Sequence, residues 1–213
     1  MENVFIMDHP LIKHKISRLR DKKTGTNEFR ALVEEIAMLM GYEALSDLPT
    51  EDVEVETPIE TCMTPQIAGR KLAIVPILRA GLGMVNGILA LVPSAKVGHI
   101  GLYRDEETHE PHEYYCKLPD PIEERTIVVT DPMLATGSSM ELSYQAMLTK
   151  GHPAEIHVAS IIASRQAVEH IAETLPEDKT TIWCAAIDPE INEHSYIVPG
   201  LGDAGDLAFG EKE

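Results

Sequence analysis

Positive charge is in short supply in this chain. Lys and Arg number 18 against 35 Asp and Glu, for a formal net charge of −17 over 213 residues. A general nucleic-acid binder gains its affinity by neutralising phosphates, and a peripheral membrane protein by a polybasic patch, so neither class fits. Three cysteines, Cys62, Cys116 and Cys184, form no CxxC pair and no disulfide framework, which predicts reduced thiols and a cytoplasmic location. The opening MENVFIMDHP lacks a basic stretch followed by an apolar one, so it does not read as a signal peptide. No apolar run approaches bilayer length, so no membrane contact is expected. Also missing are internal repeats and low-complexity tracts. With 44% hydrophobic and 25% charged residues, the composition is that of a globular domain. Any anionic ligand must be held by local devices against an unfavourable overall field.

The stretch HPLIKHKISRLRDKKTGTNEFRALVEEIAMLMGYEAL reads as two helices. Leu32, Val33, Ile36, Leu39 and Met40 recur at helical spacing, with Asn27 as N-cap and Gly41 as stop. EDVEVETPIE alternates as a short strand outside the main core. From Lys71 the texture changes. KLAIVPIL is a continuous apolar run, as in a strand buried on both faces. A helix (AGLGMVNGILALV), a strand (VGHIGLY), a charged connection and a strand (TIVVT) follow. After them come a helix (SSMELSYQAMLTKG), a strand (IHVASIIA), a helix (RQAVEHIAETL) and a strand (TIWCAAI). Alternation at this spacing predicts an α/β fold, a parallel twisted sheet flanked by helices. Ligands in such sheets sit beyond the carboxyl ends of the strands.

DPMLATGSS, residues 131–139, is one of those strand-to-helix loops. Gly137 admits close backbone approach, Thr136, Ser138 and Ser139 supply hydroxyls, and the helix start supplies N–H groups and a positive dipole end. That is phosphate-binding chemistry without a lysine. It is not a triphosphate P-loop, because G-x-x-x-x-G-K-[ST] is absent. Asp131 is placed to accept hydrogen bonds from sugar hydroxyls. Read from the residues alone, the loop is equally a plain turn at Gly137 with Ser138 capping a helix.

A strand, Asp, small residues and T-G-S-S resemble the phosphoribosyl-pyrophosphate loop of type I phosphoribosyltransferases. DPMLATG with VPILRAGLGM upstream and YIVPGLGDAGD near residue 200, together with HPLIKHK and GLYRDEETHEP, is similar to the uracil phosphoribosyltransferase family in particular. The likeness spans nearly the whole chain. Two departures stand out: Pro132 replaces the second acidic residue that most of the superfamily carries, and Ser138 replaces a common glycine.

The resemblance implies a single domain over residues 1–213, with a core of about 68–187 and a hood from 1–50 and 188–213. It implies transfer of the phosphoribosyl group of 5-phosphoribosyl 1-pyrophosphate to uracil, giving UMP. Arg79, Arg104, Asp131 and Asp203 are its implied catalytic residues. Those four, with Pro132, Met133, Leu134, Ala135, Thr136, Gly137, Ser138 and Ser139, bind the ribosyl substrate. Ile197, Gly202, Asp203 and Ala204 bind uracil. Mg²⁺ is carried mainly by the pyrophosphate, and no protein ligand is named for it. Implied partners are the two small substrates, a GTP effector as in some relatives, and further copies of the chain in a homodimer or larger homo-oligomer, with the apolar N-terminal helices as contacts.

Residue chemistry supports several of these roles and leaves others open. Arg79 sits beside glycines on a strand-end loop and suits pyrophosphate. Gly81, Gly83 and Gly87 miss the dinucleotide spacing by one residue. GLGDAG matches G-x-G-x-x-G, but residues 206–213 are too short to read as the rest of a βαβ unit. Backbone groups there can match uracil's acceptor–donor–acceptor edge, which cytosine would leave partly unpaired. A flexible glycine-rich tail explains the same letters. The arm 101–119, with Arg104, Tyr114 and Tyr115, reads as a flap that excludes water, or as a solvated hairpin. His109 and His112 have no third ligand near them in sequence and read as structural or exposed. A phosphoribosyltransferase for another base and a non-catalytic regulator that senses UMP or the ribosyl substrate are the competing functions.

Overall fold

The computed structural model describes residues 2–69, 71–104 and 111–211, with Arg104 and Pro111 described by their backbone alone. Apolar runs bounded by turns become its strands. β1 (Val4–Ile6) is followed by α1 (Pro10–Leu19) and α2 (Thr26–Ala44). β2 (Thr50–Glu56) and β3 (Thr61–Ile67) make a separate antiparallel pair. Next come β4 (Leu72–Leu78), α3 (Leu82–Leu91), β5 (Lys96–Val97), β6 (His99–Arg104) and β7 (Pro111–Lys117). β8 (Thr126–Thr130), β9 (Met133–Leu134), α4 (Ser138–Leu148), β10 (Glu155–Ser164), α5 (Arg165–Thr174) and β11 (Thr180–Asp188) complete the alternating part. β12 (Glu190–Ile191), β13 (Ile197–Val198) and α6 (Ala204–Phe209) close the chain.

The main sheet runs β1-β11-β10-β8-β4-β6-β7, parallel except for β7, which pairs antiparallel with β6 as the arm foreseen at 101–119. β4 is buried along six of its seven positions and β10 along nine of ten, as expected of strands covered on both faces. One layer packs α1, α2 and α3 on the sheet through Phe29, Ile36, Met40 and Ile88. The opposite layer packs α4 and α5 through Met140, Met147, Val168 and Ile171. From β4 the chain crosses to β6 on one side and returns to β8 on the other. The strand order therefore reverses between β4 and β8, where a crevice opens at their carboxyl ends.

Two local readings change. α2 starts after Gly25 rather than at Asn27, whose side chain instead accepts from Arg30 within the first turn. Gly41 does not stop α2: it lies inside the helix facing Ile88 and Leu91, where a side chain would crowd α3. α1 and α2 bury Ile12, Ile16, Leu19, Phe29 and Val33 inside the chain, while Leu11 and Tyr42 stay exposed. β1, which no periodicity announced, pairs with β11 in register Val4 to Ile182.

Candidate active site

Two loops meet at the crevice. The Thr130 hydroxyl donates to the Gly81 carbonyl at 3.0 Å. A Cβ on Gly81 would stand 2.1 Å from the Thr130 carbonyl oxygen, so only glycine lets the loop after β4 lie against the end of β8. Arg79 is on that loop. Gly87, by contrast, packs α3 against the α2 backbone at Glu34 and contributes nothing to a ligand loop.

Residues 131–139 leave β8 and turn into α4. Asp131 is almost fully buried; its N–H donates to the Ala159 carbonyl, and its Oδ1 accepts from the Met133 N–H at 3.3 Å. Pro132 offers its carbonyl to the Ile162 N–H, and Met133 and Leu134 pair with Ile162 and Ala163 as β9. Ser164 grips the loop from beneath: its hydroxyl donates to the Ala135 carbonyl at 2.6 Å and accepts from Ala167 N–H to cap α5. Gly137 occupies the N-cap of α4 with φ of 87°, and no side chain caps the helix there. Ser138 is therefore the first helical residue and not the cap. The Thr136 hydroxyl donates to Ser138 Oγ at 3.1 Å, and its oxygen accepts from the Ser138 N–H at 3.4 Å. A helix start without a side-chain cap leaves backbone N–H groups to meet an anion. A small recess lined by Asp131, Leu134, Thr136, Gly137 and Ser139 lies over them.

The chain beyond β11 closes on these loops. Ile197 is buried in β13 opposite Ile191, Gly202 has φ of 90°, and Asp203 caps α6 by accepting from the Asp206 N–H at 2.9 Å. The Ala204 N–H points at Met133 Sδ, 3.3 Å away, and Gly205 lies beside Ala80. Arg79 Nη2 donates to Asp206 Oδ1 at 3.0 Å and to the Gly210 carbonyl at 3.1 Å, while its Nε is buried without a hydrogen-bond partner among the described residues. Arg79, residues 131–139 and residues 197–206 thus come together. Arg104 ends β6 on the same side of the sheet, but its side chain lies outside the described residues, as does His109. His112 stacks on Tyr103, and Tyr114 and Tyr115 are exposed on the arm.

A clamp that the sequence did not announce holds the closing segment. Arg20, just after α1, donates to both carboxylate oxygens of Asp188 at 2.7 and 2.6 Å and to the Gly200 carbonyl at 2.8 Å, while the Gly200 N–H donates back to Asp188. Burial works against the Asp188 charge, but the Arg20 and Gly200 hydrogen bonds and the Arg20 charge outweigh it, holding the carboxyl below its ordinary range. Beside the clamp opens a cavity of about 540 Å³, walled by Arg20, Lys22 and Thr24 on one side and Gly202, Asp203 and Asp206 on the other. Among the described residues no group of three His, Cys, Asp or Glu is arranged to hold a metal ion.

Known proteins resemble the chain throughout this region. The family model described as uracil phosphoribosyltransferase matches residues 6–211. A uracil phosphoribosyltransferase of Thermoanaerobacter sp. is 56% identical over 211 residues, covering 99% of each chain. One of Streptococcus agalactiae is 56% identical over 207 residues, covering 97% of this chain and 98% of the other. Among solved structures, the AQ2163 protein from Aquifex aeolicus superposes with a TM-score of 0.91 at 36% identity, covering 97% and 98% of the two chains. A hypoxanthine-guanine phosphoribosyltransferase from Bacillus anthracis, at TM-score 0.50 and 8% identity over 76% of this chain and 80% of its own, shares the fold alone.

Proposed function

The chain belongs to the uracil phosphoribosyltransferase family, and from that premise we propose that it transfers the phosphoribosyl group of 5-phosphoribosyl 1-pyrophosphate to uracil, releasing pyrophosphate and forming UMP. The observation that carries the reading is the meeting of three loops at the switch point: Arg79, the uncapped start of α4, and the glycine-rich segment before α6.

The 5′-phosphate takes the amides and hydroxyls of Thr136 to Ser139, with residues 132–135 lining the approach, and Asp131 accepts from the ribose hydroxyls. Arg79 and Arg104 stabilise charge that builds on the leaving pyrophosphate. Uracil lies against Ile197, Gly202, Asp203 and Ala204, where backbone groups match its edge, and Asp203 also reaches the ribosyl substrate. The sugar passes through a transition state with oxocarbenium character, and direct displacement of pyrophosphate by uracil needs no covalent bond to the protein. Orientation and charge stabilisation supply the rate. Mg²⁺ belongs to the substrate complex. Asp131 is the one acidic side chain in 131–139, so the loop itself offers a metal few ligands.

Residues 1–50 and 188–213 act as a hood over a single domain with its core at about 68–187, a division supported by the Arg20–Asp188–Gly200 clamp that ties the two terminal stretches together. The arm β6–β7 is the flap. A homodimer or larger assembly accords with exposed Phe5, Ile6, Ile59, Met63 and Ile67 on β1 and the β2–β3 pair. GTP is the proposed effector, tested by the rate with and without it. A cytoplasmic location accords with three free cysteines, of which Cys184 is buried with its thiol pushed up to about 12. No helix among the described residues is long and apolar enough to cross a membrane.

The test mixes protein, Mg²⁺, ribosyl pyrophosphate and one base at a time, and follows nucleotide by chromatography. UMP from uracil, with no product from cytosine, orotate or hypoxanthine, is expected. Product from another base, or binding without turnover, rejects the reading.

A further inference from the structure

We propose that Asp206 is a positioning residue for Arg79, coupling closure of the base-binding segment to the orientation of the cation that receives pyrophosphate; this rests on the transferase reading above. Asp206 is in the first turn of α6, its N–H fixed by Asp203 and its carboxylate on Arg79 Nη2. The Gly210 carbonyl at the other end of α6 takes the same nitrogen. A guanidinium has five N–H donors, so these bonds leave donors for a ligand. One of them, Nε, is already withdrawn from solvent and has no partner among the described residues.

Stability does not account for the pair. The Arg79 and Asp206 side chains are 39% and 33% exposed, and an ion pair so open to water contributes little to stability. Its value lies in order. A free arginine loses rotamer entropy when immobilised, and a guanidinium held in place beforehand loses less on binding. Asp203 faces the base and Asp206 holds the arginine, three residues apart on one short helix. Seating α6 therefore aims Arg79. Asp206 carries no direct contact with substrate in this role.

Steady-state constants for wild type, Asp206→Asn, Asp206→Glu, Arg79→Lys and the Arg79→Lys/Asp206→Asn pair test the proposal, with each substrate varied at saturating levels of the other. Asp206→Asn keeps the side chain's size. It is expected to raise KM for ribosyl pyrophosphate about tenfold while KM for uracil stays within about twofold. Asp206→Glu should restore most of the loss, and the double variant should be little worse than Arg79→Lys alone. An unchanged or lowered KM for ribosyl pyrophosphate, the latter marking Asp206 as a competitor of substrate, overturns the proposal. So does an equal rise for both substrates. Calorimetric binding of ribosyl pyrophosphate to wild type and Asp206→Asn separates the two claims: a wild type that makes no UMP rejects the transferase reading, whereas equal affinities reject the role of Asp206.

Discussion

Arg79 is a cation whose partners in the chain leave most of its donors for something else, and that imbalance defines its test. Arg79→Ala should lower turnover with uracil about a hundredfold or more, because it removes charge stabilisation from the leaving group. Urea unfolding should shift by no more than about 1 kcal/mol, since more than a third of the Arg79 side chain and a third of Asp206 are open to water. Full activity in the variant removes Arg79 from the site. Gly137 makes a complementary case. Its φ of 87° disfavours any side chain, and a Cβ would stand 2.8 Å from His170 Cδ2. Gly137→Ala should cost about 1–3 kcal/mol of stability and weaken UMP binding, measured by urea melts and calorimetry. Residue chemistry was legible here. Gly137, Thr136 and Asp131 could be named as candidates because a proposed phosphate loop calls for those types in that order, although the same letters also spell a plain helix start. Ser164 did not, because a serine at the end of an apolar strand looks like any helix cap until the fold brings the Ala135 carbonyl to it.

Elements were legible where a run of apolar residues met a turn, and less so at ends and edges. β4, β8 and β10 follow from their nearly continuous burial, and β11, buried at five of its nine positions, from its apolar run between a helix and a turn. β1 is three residues long with two exposed, too short to carry a period, and exists because β11 offers it an edge. Gly41 read as a helix stop because propensity treats glycine as a breaker; tertiary packing against α3 overrides that preference. The join between α5 and residues 131–139 has its own prediction. Ser164→Ala removes a cap and the donor to a loop carbonyl at once, so a loss of about 1–2 kcal/mol is expected, with weaker ribosyl-pyrophosphate binding alongside. A thermal melt unchanged within error contradicts this. The Arg20–Asp188 clamp is the second case. The folded pKa of Asp188 lies below its ordinary value of 3.8, so the clamp's contribution is complete above that value and drains away as pH falls through the depressed one. Wild type should therefore lose stability on acidification below about pH 4 more steeply than Asp188→Asn, which has no proton to take up. Parallel acid curves would show the clamp to be ionically idle.

Across the whole molecule, the charge of −17 and the anionic substrates pull against each other, and the fold resolves the conflict by concentrating donors at one end of the sheet. Strand order does the placing: the reversal between β4 and β8 sets the Arg79 loop beside 131–139, and the segment after β11 crosses over both. That convergence could be expected from strand–helix alternation, but the crossing order and the Arg20 clamp depend on contacts between residues 168 and 180 positions apart, which no local pattern records. Amide hydrogen exchange is the direct measurement of a single shared site. Addition of Mg²⁺ and ribosyl pyrophosphate should slow exchange together in peptides covering 78–84, 131–140 and 197–206, with little change at the β2–β3 pair. Protection confined to one of those three stretches, or absent from 131–140, would contradict the account.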